Sequence, residues 1–168
     1  AKRFFFVPNP VKLLVDDAPC KKVSVPFHPR NTELGSRDIQ TDKTFFIAGS
    51  DVDQLKTGDV FRLKDLFNVS VTSLEKDQVV GSYAGVNLIS DSLKIQWVTE
   101  NYVPLTVYVP DVLMKNNEFN QESLKKISGF AEPKVASLPM GEIIQFERFG
   151  FVRIEKENGK LQAFFTHR

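Results

Sequence analysis

Apolar and polar residues alternate along most of this chain, in short runs separated by turn-forming residues. In "LTVYV", for example, Leu105, Val107 and Val109 fall on one face of a strand, and Thr106 and Tyr108 fall on the other. Runs rich in β-branched and aromatic residues predict further strands in "RFFFV", "VKLLV", "KKVSVPF", "KTFFIA", "DVFRLKDLFNVSVTSL", "QVVGSYAGV" and "SLKIQWV". Many short strands at this spacing favour an all-β fold of barrels or sandwiches.

The C-terminal segment "FVRIEKENGKLQAFF" predicts a β-hairpin whose register can be assigned. Asn158-Gly159 is typical of a two-residue type I′ turn, because both central residues of that turn need a positive φ. This turn predicts two apolar cross-strand pairs and one polar pair on the opposite face: Ile154 with Ala163, Val152 with Phe165, and Glu155 with Gln162.

Three segments interrupt the strand pattern. "NQESLKKISGF" predicts a short helix, with Asn120 as its N-cap and Gly129 just past its end. "HPRNTELGSRDIQTDK" is polar and predicts a long loop, and "ISDSLK" is a second polar break.

Size and composition indicate a folded domain or two small barrels. A chain of 168 residues can bury a substantial core, and its 22 basic and 21 acidic residues do not in themselves indicate a nucleic-acid partner. Cys20 is the only cysteine, which excludes an internal disulfide and fits a reducing cytoplasm. No run of about 18 apolar residues predicts a membrane span. Since the chain begins directly with strand-forming residues, we expect it to be part of a longer protein.

The sequence lacks the motifs of an independent active site. His28 and His167 have no spacing typical of a metal site, and loop and tail positions explain both. There is no phosphate-binding glycine loop and no serine nucleophile elbow.

Local clusters of basic residues are compatible with nucleic-acid binding. Lys2 and Arg3 open the chain, and Arg30 and Arg37 flank the polar segment. Arg62 and Lys64 project from one face of a predicted strand, where they could contact phosphates or base edges. From the spacing alone, an ordinary solvated strand face is the favoured interpretation.

The same two interpretations, contact with RNA or an ordinary surface position, apply to Gln145. In "IIQFER", Ile144 and Phe146 share one face, which places Gln145 and Glu147 on the other. A glutamine amide offers a donor and an acceptor together, as base-edge recognition requires. A surface glutamine on a strand would look identical in the sequence.

Five stretches, in this order and spacing, resemble a known family: "RFFFVPNPVKLLV", "PFHPRNTELGSR", "GDVFRLKDLFNV", "KIQWV" and "GEIIQFERFGFVRI". Together they resemble the C-terminal anticodon-binding region of archaeal-type glutamyl-tRNA synthetase, a class I enzyme related to glutaminyl-tRNA synthetase. The resemblance covers essentially the whole chain and implies two β-barrels. It implies a proximal barrel of residues 1–48 and 94–168 and a distal barrel of residues 49–93.

The resemblance also implies site residues for tRNA. Arg3 and Gln145 match the family residues that contact the central anticodon uridine, and Arg62 matches a distal-barrel arginine that contacts another anticodon base. Lys64 lies beside Arg62 in the same stretch. Where the family has a Lys-Arg pair, this chain has Asp53 and Gln54, and Lys56 is the candidate substitute.

The implied partners are tRNA-Glu, through its anticodon loop, and an N-terminal catalytic domain absent from this chain. That domain would attach glutamate using ATP and Mg²⁺, and we expect no catalytic residue, cofactor or metal in this segment and no membrane partner. A protein-interaction module of a larger synthetase assembly is the alternative, and a stand-alone enzyme is a third possibility.

Overall fold

A computed structural model describes residues 1–110 and 124–168. Within them the chain forms one short α-helix, α1 (Gly49–Val52), and 3-10 helices at Thr32–Leu34 and Pro133–Ser137. None of the helices in this described part is long and apolar enough to cross a membrane. The remaining elements are strands: β1 Arg3–Phe4, β2 Phe6–Pro8, β3 Pro10–Val15, β4 Lys22–Pro26, β5 Ser36–Gln40, β6 Thr44–Ala48, β7 Val60–Leu63, β8 Phe67–Leu74, β9 Gln78–Tyr83, β10 Lys94–Ile95, β11 Val98–Thr99, β12 Val103–Pro110, β13 Leu124–Ala131, β14 Ile143–Phe146, β15 Gly150–Glu157 and β16 Lys160–His167.

Most of these strands belong to two sheets. Sheet A has the order β1-β14-β15-β16-β12-β13-β2, and sheet B has the order β10-β7-β8-β9-β3-β6-β11. β4 and β5 pair only with each other among the described residues. The edges of sheet A, β1 and β2, are separated along the chain by Phe5 alone, so this sheet curls back on itself. The two curved sheets confirm the predicted all-β fold of two barrels.

The boundaries of the two predicted barrels, at residues 49 and 94, stay a prediction. Sheet B contains β7 to β9 from the predicted distal segment. It also contains β3, β6, β10 and β11, which come from the segments on either side of it.

The first strands contribute to two hydrophobic cores at once. Phe4 and Phe6 are buried in the core of sheet A, whereas Phe5 and Val7 are buried in the core of sheet B, where Phe5 packs on Trp97. This division follows from the alternation of side chains along extended backbone. The N-terminal segment therefore joins the two sheets.

The closing hairpin has the predicted register. β15 and β16 pair Ile154 with Ala163, Val152 with Phe165, and Glu155 with Gln162. Asn158 and Gly159 have φ angles of 52° and 77°, as a type I′ turn requires.

The helix predicted in "NQESLKKISGF" is wrong where the structure describes it. Residues 124–131 form strand β13, and the predicted cap Asn120 lies outside the described residues. β13 pairs along its whole length with β12, and Gly129 to Ala131 also pair with β2. Pairing on both sides outweighs the local helix propensity of the lysines and leucine.

The long loop predicted at residues 28–43 is also wrong, because it contains a 3-10 helix and strand β5. The two inward-facing residues of β5 are Arg37 and Ile39. Arg37 forms a bidentate ion pair with Glu132, with N–O distances of 2.7 and 2.6 Å, and both side chains are at most 3% exposed. Arg37, one of the basic residues considered for nucleic-acid binding, is therefore a core residue. Its charge interrupts the apolar alternation by which this strand could have been predicted.

Candidate nucleic-acid interface

Arg3 and Gln145 lie side by side although they are 142 positions apart in the sequence. Parallel pairing of β1 with β14 places them, supported by a hydrogen bond from the Gln145 N–H to the Lys2 carbonyl at 2.9 Å. The Arg3 Nε donates to Gln145 Oε1 at 3.1 Å. The two side chains form one half-buried polar unit at the edge of sheet A.

The pair keeps hydrogen-bonding capacity for a ligand. Ile144 and Phe146 are fully buried, so Gln145 between them turns away from the core. A glutamine amide has two N–H donors and two acceptor sites on its oxygen, and Arg3 occupies one of those acceptor sites. The terminal nitrogens of Arg3 add further donors.

A cleft of about 260 Å³ opens beside this pair, and sheets A and B both contribute to its lining. Four of its lining residues are cationic and one is acidic. Clefts dominated by one sign of charge attract oppositely charged ligands. The lining consists of Arg3, Lys64, Lys94, Gln96, Gln145, Glu147 and Arg148.

Lys64 enters the cleft from sheet B. Its carbonyl accepts the indole N–H of the buried Trp97 at 2.8 Å, and its own N–H donates to the Ile95 carbonyl at 3.0 Å. The Lys64 ammonium forms an ion pair with Glu147. The backbone of Lys64 is therefore fixed, and its charge is already partly neutralised.

Arg62 and Lys56 lie outside this set of lining residues. Arg62 is the cross-strand partner of Lys94, and its guanidinium donates to Asn68 Oδ1 at 3.2 Å and to the Val86 carbonyl at 3.1 Å. Lys56 is exposed in the turn after α1, where its N–H donates to Asp59 Oδ2 at 2.9 Å. Of the five predicted site residues, the cleft brings together Arg3, Gln145 and Lys64.

Arg148 is a cleft residue to which the sequence assigned no role. Its Nε donates to Gln96 Oε1 and its Nη2 to Asp51 Oδ2, both at 2.8 Å. Its φ of 60° is uncommon for a residue other than glycine. Two sequence features could have indicated this part of the cleft. They are Gln96, a polar residue between apolar neighbours in "KIQWV", and Arg148 itself in "QFERFG".

His28 is mostly neutral near pH 7. Its pKa is lowered, first by desolvation and then by the positive charges of Arg3, the N-terminus and Arg30. The Nδ1 of His28 accepts the Arg30 N–H at 3.1 Å. Within residues 1–110 and 124–168 neither histidine joins a group of three or more potential metal ligands.

Two family models match the chain. Both describe the anticodon-binding domain of class I tRNA synthetases for E and Q, and they cover residues 1–89 and 94–155. The chain belongs to this anticodon-binding family. The predicted resemblance is therefore confirmed.

Similar curated proteins are archaeal glutamate–tRNA ligases. That of Methanococcus maripaludis strain C7 is 34% identical over 100% of this chain, that of Nitrosopumilus maritimus 36% over 99%, and that of Methanocella arvoryzae 38% over 99%. This anticodon-binding chain spans 27–28% of the length of these relatives.

Proposed function

We propose that this chain is the part of a cytoplasmic glutamate–tRNA ligase that recognises the anticodon of tRNA-Glu. The observation that carries the proposal is the hydrogen-bonded pair of Arg3 and Gln145 beside a positively charged cleft. The family resemblance assigns these two residues to the central anticodon uridine, and their contact supports joint action on one base. In this proposal glutamate attachment, ATP and Mg²⁺ belong to the catalytic domain of the parent enzyme.

The hydrogen-bonding groups of the pair match a uracil edge. Uracil offers carbonyl oxygens as acceptors and its N3–H as a donor. The free acceptor site of Gln145 Oε1 can take the N3–H, while Gln145 Nε2 or an Arg3 terminal nitrogen donates to a carbonyl oxygen. Cytosine presents an unprotonated N3 and an amino donor, so it would leave these groups mismatched.

The remaining cations would hold the backbone and the neighbouring bases. Lys64 and Lys94 in the cleft suit phosphate contacts, which position an RNA without reading its sequence. We assign Arg62 and Lys56 to the flanking anticodon nucleotides, as the resemblance implies. The predicted proximal and distal barrels would then hold the anticodon loop between them.

Binding of two transcripts tests the proposal directly. The full chain is titrated, at moderate salt, with tRNA-Glu and with the same transcript carrying cytidine at the central anticodon position. We expect the native chain to prefer uridine, and Arg3→Ala or Gln145→Ala to lose about 1–3 kcal/mol of that preference.

An exposed lysine of sheet B provides the matched control. Lys12→Ala should leave the uridine preference unchanged, because Lys12 lies on β3 and is not one of the residues that line the cleft. Equal affinity of the native chain for both transcripts would contradict the proposal.

A second candidate function, docking of a protein partner from a synthetase assembly, is favoured by one apolar segment. Val86, Leu88 and Ile89 are 48%, 74% and 45% exposed after β9. Exposed apolar residues that form one contiguous patch are a feature of interaction sites. If the segment docks a partner, Leu88→Ser should abolish co-purification of the partner and leave tRNA affinity unchanged.

A further inference from the structure

One row of side chains crosses four neighbouring strands of sheet A, outside the Arg3–Gln145 cleft. Arg153 on β15 is the cross-strand partner of Phe164 on β16, Phe164 pairs with Tyr108 on β12, and Tyr108 pairs with Lys126 on β13. These strands are adjacent in the sheet. The row therefore places two aromatic rings between two cations, and we call it the stacking row.

The stacking row faces solvent. Its members alternate along their strands with the fully buried residues Val107, Ile154 and Ala163, so they point away from the core. Arg153 and Lys126 are exposed, and both rings are half-buried. The row therefore presents the exposed parts of two rings and two cations to a ligand.

The rings and cations are arranged in contact. Tyr108 and Phe164 stack with their centroids 5.3 Å apart and an interplanar angle of 20°. The Arg153 guanidinium lies 5.6 Å from the Phe164 centroid, and the Lys126 ammonium lies 5.8 Å from that of Tyr108. The two rings are thus stacked on each other, with one cation over the outer face of each. A base that stacks on Tyr108 would displace the exposed Lys126 side chain from that face.

The polar neighbours of the row leave several donors free for a ligand. Arg153 forms an ion pair with Glu155, in which Nε donates to Oε1 at 2.9 Å; this pair uses one of the five N–H groups and partly neutralises the charge. The Tyr108 hydroxyl accepts from Gln162 Nε2 at 3.3 Å, which holds the ring in place. The terminal nitrogens of Arg153 and the Lys126 ammonium can still meet a phosphate.

We propose that the stacking row binds unpaired nucleotides of an RNA, at a site separate from the one that reads the anticodon base. Aromatic rings on a sheet surface stack on unpaired bases, and adjacent cations hold the phosphates. Strands lie about 4.8 Å apart, so the backbones that carry the two cations are about 14 Å apart and flank both rings. Positive charge at both ends favours RNA over an apolar protein surface, which would leave both cations desolvated.

A short RNA that lacks uridine tests this site independently of the anticodon. The probe is a hexa-adenylate in which one base is 2-aminopurine, whose fluorescence falls when it stacks on an aromatic ring. We expect the full chain to quench the probe. Tyr108→Leu and Phe164→Leu should each weaken binding about 5- to 150-fold, as expected for the loss of one base–aromatic stack.

Charge variants test the same site without touching the rings. Lys126→Gln should flatten the salt dependence of log affinity by about 0.7, the value for one phosphate of a single strand. This exposed position keeps the test usable if a ring variant fails to fold.

Variants in sheet B serve as controls. Tyr83→Leu, a half-exposed aromatic, and Lys12→Gln, an exposed lysine, should leave quenching and salt slope unchanged. Tyr108→Leu should keep the native preference for uridine over cytidine in the two-transcript assay, which separates this site from the proposed function. Absence of quenching, or equal binding by the folded ring variants and the native chain, would overturn the proposal.

Discussion

Lys64 and Glu147 form an ion pair that connects the turn after β7 to the residue following β14. The Lys64 side chain is 29% exposed and that of Glu147 is 8% exposed. The sequence predicts that Lys64 contacts RNA, yet its ammonium already has a carboxylate partner two residues from Gln145. A phosphate must therefore compete with Glu147 for this lysine.

Replacing Glu147 with glutamine should release Lys64 to RNA, because the amide keeps a hydrogen-bond acceptor but removes the charge. We expect tRNA to bind more tightly. The slope of log affinity against log salt should steepen by about 0.7–0.9, the value for one more phosphate contact. Fluorescence anisotropy at several salt concentrations measures both quantities. The exposed Glu100→Gln is the control, and an unchanged slope in Glu147→Gln would show that Lys64 stays clear of phosphate even when unpaired.

Arg148→Ala should destabilise the chain by leaving a buried carboxylate without its cation. Asp51 is 4% exposed, whereas Arg148 is 47% exposed. We expect the free energy of unfolding in urea to fall by about 2–3 kcal/mol, less than for a fully buried pair.

The partner variant identifies the cause of that loss. Adding Asp51→Asn to Arg148→Ala should recover part of the stability, because no buried charge then remains. Lys22→Ala breaks a well-exposed pair with Asp38 and should cost at most about 1 kcal/mol. A double variant no more stable than Arg148→Ala would mean that the buried charge of Asp51 is not the source.

Arg62→Ala should loosen the segment after β9, because Arg62 donates to the Val86 carbonyl. We expect cleavage by thermolysin near Leu88 to accelerate about five-fold, which corresponds to about 1 kcal/mol of local stability. Mass spectrometry of the products locates the cut, and Lys12→Ala is the control. Unchanged cleavage together with weaker tRNA binding would assign Arg62 to RNA contact alone.

Gly129→Ala tests how closely β13 approaches β2. The space beside Gly129 is filled by the Val7 carbonyl oxygen and the Phe6 ring. In β13 the new Cβ would lie 2.8 Å from the Phe6 ring, so we expect destabilisation. Urea unfolding measures the sign, and stabilisation would contradict this close approach.

Local sequence predicted the parts of the fold that depend on local interactions. Asn158-Gly159 determines both the turn and the register of the closing hairpin, since few other residues favour a positive φ at two consecutive positions. The alternation around Gln145 likewise predicted which neighbours are buried.

Contacts between distant segments could not be predicted in this way. The local sequence does not predict that Arg37 is buried, because its ion-pair partner Glu132 lies 95 positions away. The link from Arg148 to Asp51 spans 97 positions, so no local pattern reveals it. Arg3 and Gln145 were matched through family resemblance, and only the pairing of β1 with β14 shows that they touch.

The pairing of β1 with β14 has a consequence for synthesis on the ribosome. Gln145 emerges 142 residues after Arg3, which takes about 7–28 s at the usual rates of translation. During that time β1 has no strand to pair with, and the apolar side chains of Phe4 and Phe6 have only part of their core. The nascent chain therefore exposes an aggregation-prone aromatic segment until β14 has been synthesised, and a chaperone that holds extended apolar segments should associate with it in that interval.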